Sequence, residues 1–585
     1  MAMSDLRSAS RLIGAVLLSI LSIGLGPQAA AAGPQSPRDV LDIVPSDCWG
    51  LVVAANLEAV DARLTELLGA LELPALGPAE LFRSRLNLGP NIPTAGPLAI
   101  AVLPAPTLEE FGQSTVLIVP CSDVEGWLQA FTTAKLEERL WRSELVWGPT
   151  FVASLNGFAV LATSEQTARA MLNSGQPLSR RAQGPRLDSL EPSACCLWLN
   201  LAALYDSPAG LAWRGAGGEA RADSNFGSSL LNSPSELTAQ IDTVQLNMTP
   251  SALGLRLTAA VAARQGSPLA SLMTLAQSEP AADVQRLPAL PAIGAVSGRL
   301  AAGQTGGLAG EVDKLLASPA IASATHQEQL TRLRSLVAGA TGEVRAARCS
   351  LAVLPPDPEG LLCVLALLDV PNAAAWIERI GQACAILDGQ LFRDPALNTV
   401  YRSVRFEPQS DVIDAAPIAE LELQLPPTEP TDGSAEGISY GGALGSQRMI
   451  VRLAAVDSET VALCIGGHPH EMGRLIAAAR GREAGLAASP GIAAACAQLP
   501  PGGAALVVFS PEELIHLSRT LARIQNKVGQ APARLPPSGA VCAARLSHTH
   551  PFLAVEAVVP TDVLKAMKAL LIRQSVPDMQ LMPEG

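Results

Sequence analysis

Two pairs of histidines are the residues whose spacing could do chemistry. His468-Pro-His470 is followed directly by Glu471 and comes after Gly466-Gly467, where an apolar run ends and a helix begins. His548-Thr-His550 falls at a hairpin turn, where alternate strand residues share a face. Either pair could donate two ligands to a zinc ion and support a metal-dependent hydrolase, built on His468, His470 and Glu471 or on His548 and His550. A zinc site needs at least one or two further ligands, and the sequence brings no third group near either pair. The competing reading is a solvated turn. Thr163-Ser-Glu165, which corresponds to the His468 turn in the first half of the chain, holds no histidine, so a site there would belong to one half only.

Other routes to catalysis lack their signatures. The chain has no G-x-S-x-G elbow, no glycine-rich loop closed by Lys-Ser or Lys-Thr, and no H-E-x-x-H. Gly215-Ala-Gly-Gly-Glu-Ala220 follows no clear strand and fails the structural condition for a dinucleotide fingerprint. Glu109-Glu110, Glu137-Glu138 and Glu512-Glu513 are neighbours in sequence, so on a helix they do not face one another and read as caps or solvated faces. No catalytic residue and no cofactor are therefore expected. Trp127 and Trp376 recur at matching positions and read as core, which leaves Trp141, Trp147 and Trp213 as candidate exposed binding aromatics.

The elements that would position these residues recur along the chain. Ala101-Val-Leu-Pro104, a loop, Thr115-Val-Leu-Ile-Val119 and a helix bearing Val124, Trp127, Leu128 and Phe131 are matched by Ala352-Val-Leu-Pro355, a loop, Cys363-Val-Leu-Ala-Leu-Leu368 and a helix bearing Ala373, Trp376, Ile377 and Ile380. Both helices place apolar residues at i, i+3, i+4 and i+7. Phe151 to Thr163 predicts a hairpin leading to a helix with Ala168, Met171 and Leu172 inward; Met449 to Gly466 leads likewise to Met472, Leu475 and Ile476. The strand Ala194–Leu201 answers to Ala504–Phe509, and the strand pair within 243–263 answers to that within 541–559. Ser510-Pro-Glu-Glu513 is a helix start with an N-cap serine, proline at N1 and glutamate at N3.

These patterns predict an α+β fold of two homologous halves, each a series of β-β-α units with mainly antiparallel sheets and helices packed on one face. The expected divisions are 1–32 as a signal peptide, 38–285 as the first domain and 286–585 as the second, with the boundary near Ala282 to Pro291. Arg214 to Glu236 and Pro426 to Gln447 read as polar, glycine-rich inserted loops. At Ile43-Val-Pro-Ser-Asp-Cys-Trp-Gly-Leu-Val-Val-Ala-Ala-Asn-Leu57, followed by an amphipathic helix, the chain resembles exported bacterial proteins described only as domains of unknown function. Those proteins also carry repeated ββα units after a proline-acid turn. The resemblance implies no activity and brings no functional residues.

Arg7 and Arg11 precede an uncharged run from Leu12 to Leu25 and the small residues Ala29 to Ala32, the pattern of a secretory signal peptide. The run is shorter than a bilayer span needs, and the first cysteine is Cys48, too far on to carry a lipid. Ile492 to Phe509 is interrupted by Pro500-Pro-Gly-Gly503 and reads as a turn before a strand. Among the 585 residues, 48% are hydrophobic and 16% charged, which suits large cores. A net charge of -13 leaves no basic stripe for nucleic acid. Ten cysteines without a C-x-x-C sit mostly in apolar runs, as small buried hydrophobes or as disulfide partners. Adjacent Cys195 and Cys196 would point to opposite faces of a strand.

The expectation from sequence is an exported protein, periplasmic or extracellular, that binds or scaffolds an envelope protein or polymer without catalysis. The alternatives are the histidine-based hydrolase and a carrier for an apolar ligand held between sheet and helices.

Overall fold

The computed structural model describes residues 36–74, 95–107, 109–145, 148–181, 183–188, 190–211, 238–267, 269–270, 284–299, 327–354, 362–389, 403–424, 448–526, 540–549 and 552–575. The expected signal peptide, both inserted loops, Trp147, Trp213 and His550 lie outside these residues. The chain divides into two compact units, Met1–Met273 with Thr549–Glu556, and Thr274–His548 with Ala557–Gly585.

In the first unit β1 (Gly50–Ala54) lies between β2 (Leu98–Val102) and β8 (Cys195–Asn200). Beyond β2 follow β3 (Thr115–Pro120), β7 (Phe158–Ala162), β6 (Gly148–Leu155), β5 (Leu140–Leu145) and β4 (Thr133–Glu137). Beyond β8 follow β9 (Ile241–Ser251) and β10 (Gly254–Ala263). Every pairing is antiparallel, which hairpin connections allow and crossovers would not. The β6–β7 hairpin turns at Asn156-Gly157, both at positive φ, the chemistry a tight hairpin demands.

The second unit has the same order. β11 (Ala292–Arg299) lies between β12 (Ala346–Val353) and β18 (Ala505–Phe509). β13 (Leu362–Asp369), β17 (Thr460–Ile465), β16 (Arg448–Ala455), β15 (Ala416–Gln424) and β14 (Ser403–Ile413) continue on one side. β19 (Cys542–Thr549) continues on the other. The α+β class with antiparallel pairing thus holds.

The sequence of elements departs from simple β-β-α units. Four strands, β4 to β7, separate α3 (Val124–Leu128) from α4 (Glu165–Leu172), because Thr133–Leu145 forms a hairpin of its own. Its outer strand, Thr133-Ala-Lys-Leu-Glu137, does alternate, but its apolar residues are only Ala134 and Leu136 and both are exposed, so no buried face goes with the pattern.

Helices cover both faces of the sheets, where one face was expected. β7 is buried along its whole length: Phe158, Val160 and Ala162 feed one core with Ala168 and Met171 of α4, while Ala159 and Leu161 feed another with Val124, Trp127 and Leu128 of α3 and with α2 (Leu57–Ala70). A strand that is apolar at consecutive positions needs cover on both sides. The second unit repeats this. Ala462 and Cys464 of β17 pack toward α8 (Pro469–Ala479), while Val461 packs with Ala373 and Trp376 of α7 (Ala373–Gly389). Among the described helices none is long and apolar enough to cross a membrane.

Candidate functional site

The turn from β17 into α8 carries the first histidine pair. Gly466 and Gly467 both take positive φ, +72° and +69°, and reverse the chain after the strand. His468 is then the extended N-cap residue and Pro469 occupies N1, where a missing N–H costs nothing. Glu471 at N3 accepts the backbone N–H of His468 at 2.8 Å, which is the reciprocal half of a capping box. Its carboxylate is therefore a helix cap. His470 points from an exposed position and His468 from a half-buried one. Among the described residues no three of His, Cys, Asp and Glu are grouped to hold a metal ion. His548 lies in β19, and its intended partner His550 is outside the described residues.

Beneath this turn lies a cluster that sequence inspection passed over as packing. Leu365 of β13 stands opposite Cys464 of β17, so Cys363, two residues back, lies on the same sheet face, diagonal to Cys464. The two sulfurs are 3.5 Å apart and both thiols are buried. Cys464 Sγ donates to the Gly466 carbonyl at 3.2 Å. The hydrogen bond that the Cys363 thiol donates to Cys464, together with burial, holds that thiol well above its ordinary range. A Cβ at Gly467 would meet Cys363 Sγ at 3.0 Å, so the glycine is needed for space as well as for φ. Arg452, 4% exposed and opposite Cys464 across β16, donates to the Gly467 carbonyl at 2.6 Å and pairs with Glu420 at 3.3 Å. The signal in the sequence was only that both cysteines lie in apolar runs; that their strands pair and that the two face the same way required the register.

The tryptophans sort by burial. Trp127 makes an edge contact with Phe131 at 5.6 Å, and Trp376 donates its indole N–H to the Ala340 carbonyl at 2.8 Å; both are core. Trp141, expected as an exposed aromatic, is buried in the same core as Trp127, because β5 presents it to the covered face. Cys195 and Cys196 separate into the two cores on opposite faces of β8.

A second feature is a sheet face without polar side chains. In the second unit, Gly294, Val296 and Gly298 of β11 stand opposite Phe509, Val507 and Ala505 of β18. Their outer neighbours on the same face are Leu351, Cys349 and Ala347 of β12 and Cys542, Ala544 and Leu546 of β19. Helix α10 (Pro511–Asn526) covers one end, through Leu517 against Ile293 and Val353. The middle stays open: Val296 and Val507 are each 44% exposed and Phe509 37%. The other side of these strands is buried core, with Ala295, Leu506 and Val508. The same four positions of the first sheet are also apolar, with Ile100, Val52, Leu197 and Leu246 in cross-strand register and half-buried.

No protein family matches the chain and no curated protein matches it. Among solved structures it is similar to TP0453: crystal form IV at 11% identity covers 40% of this chain and 84% of that chain with a TM-score of 0.22. Crystal form I, at 12% identity, covers 42% and 85% with a TM-score of 0.21. Overlap at that level defines no shared arrangement of elements.

Proposed function

We propose that this protein is an exported, non-catalytic binding protein, built by duplication of one α+β unit, and that its ligand is apolar. The supporting observation is the open, uncharged face of β12, β11, β18 and β19, with Val296 and Val507 side by side at 44% exposure. Large apolar side chains left exposed on a central sheet, next to a helix, offer a surface that water solvates poorly and an apolar ligand would cover. Apart from the half-buried thiols of Cys349 and Cys542 its side chains are hydrocarbon, so the chemistry it offers is desolvation. Export is supported by the Arg7–Ala32 pattern, and duplication by the shared strand order of the two units.

The test uses the chain recovered from the cell envelope, its intact mass reporting whether cleavage falls near Ala32. A long-chain fatty acid is titrated into it by calorimetry. Saturable binding is expected, with a negative heat-capacity change. Val507→Asp should weaken binding at least about tenfold, roughly 1.4 kcal/mol, with little change in melting temperature. Absence of binding by the native chain would defeat the apolar-ligand reading. Specific capture of an envelope protein or polymer after mild cross-linking, lost in the same variant, would assign the face to a macromolecular partner instead.

A further inference from the structure

We propose that Cys363 and Cys464 form a disulfide that staples β13 to β17 beneath the Gly466–Glu471 turn. The sulfurs already stand 3.5 Å apart on one face of adjacent antiparallel strands, against about 2.05 Å in a bond. Cys195 and Cys196, adjacent in sequence, feed cores on opposite faces of β8 instead, and Cys384 sits in a core apart from this pair. The positions that match by strand register in the first unit, Val116 and Val160, carry no sulfur. The second unit thus tolerates at its centre a pair of thiols where an apolar pair would pack, and the pair closes a separation of 101 residues.

The reaction is thiol–disulfide exchange, and its oxidant is a small-molecule or protein disulfide. One thiolate attacks the incoming disulfide and releases one thiol; the second cysteine then displaces the other sulfur from the mixed disulfide. The cysteine pair loses two protons and two electrons, and the incoming disulfide leaves as two thiols. Because the native thiols are buried, exchange proceeds while α8 is undocked, during folding, and the finished bond is shielded from reductant. The proposal is independent of what the apolar face binds, since the two thiols lie on the other face of the sheet.

The full chain, denatured and reduced, is refolded in a buffer of reduced and oxidised glutathione, alkylated and digested without reduction. The expected product is a peptide joining Cys363 to Cys464, with the other eight cysteines alkylated. Reduction should then lower the denaturant midpoint of the linked chain. The Cys363→Val, Cys464→Val double variant, which installs the residues of the first unit, should fold and show a midpoint that reductant does not move. Alkylation of both Cys363 and Cys464, or linkage of either to another cysteine, would overturn the proposal. Chain isolated directly from the cell envelope and mapped in the same way gives a reading that needs no refolding.

Discussion

At the scale of single residues the thiols dominate the acid–base behaviour. Burial raises Cys121 and Cys384 to about 11 and Cys195 to about 12. For Cys48 burial is again the main cause, Asp47 adds to it, and the thiol reaches about 12. A raised folded value means that the folded chain holds its thiol protons more tightly than the unfolded chain does. Stability is therefore complete below the unfolded thiol value of about 8.5 and falls as the pH rises from there toward 11 and 12. Alkylation needs the thiolate, so at pH 8 iodoacetamide should modify half-buried Cys349, Cys496 and Cys542 first and leave these buried thiols intact until denaturant is added. Mass spectrometry of timed samples reads the order, and rapid labelling of Cys121 or Cys195 in the native chain would contradict the burial argument. The histidines tell the opposite story. Metal ligands and capping boxes draw on overlapping residue types, and in the turn of His468, His470 and Glu471 one carboxylate oxygen of Glu471 accepts the His468 N–H.

At the scale of elements, helix α8 is bounded by two glycines with the same backbone demand and different surroundings. Gly467 and Gly481 both have φ +69°; a Cβ at Gly481 would meet nothing, while one at Gly467 would press on Cys363 Sγ at 3.0 Å and Leu354 Cδ1 at 3.3 Å. Gly481→Ala should cost the left-handed penalty alone, about 1–2 kcal/mol. Gly467→Ala should cost the same plus overpacking, a further ~1–3 kcal/mol. Urea midpoints of the two variants give the difference directly, and equal losses would mean that the buried cysteines have room to yield. Much of this element was legible beforehand. Met472, Leu475 and Ile476 were expected inward from their spacing, and all three are fully buried. Ser510 was expected to cap α10, and its hydroxyl accepts the Glu513 N–H at 3.4 Å. The β4–β5 and β14–β15 hairpins were not legible, since β4 buries neither of its alternate apolar residues, Ala134 and Leu136, and the second hairpin turns at Asp414-Ala415, both at positive φ without a glycine to announce it. Coverage of both sheet faces was legible in principle from Phe158-Ala-Val-Leu-Ala162 and Leu362-Cys-Val-Leu-Ala-Leu-Leu368, runs with no polar alternation.

At the scale of the whole molecule, two units with one strand order each close their own cores, and the chain's fluorophores are divided unequally between them. Of the seven tryptophans only Trp376 belongs to the second unit, so intrinsic fluorescence reports unfolding of the first, while far-UV circular dichroism reports strands and helices of both. Met472 is fully buried on α8 in the second unit, and Met472→Ala should cost that unit about 2–5 kcal/mol through lost burial and the cavity left behind. Domains with separate cores depart from a single two-state transition. In a urea titration of the variant, part of the dichroism change should move to lower denaturant while most of the fluorescence change keeps its wild-type midpoint. If fluorescence and dichroism shift together by the same amount, the two cores unfold as one cooperative block. In that case a ligand seated on the β11–β18 face would stabilise the first unit as well as the second, because binding energy is shared across whatever unfolds together. If the midpoints separate, a ligand on that face should raise the dichroism midpoint of the second unit and leave the tryptophan signal where it was.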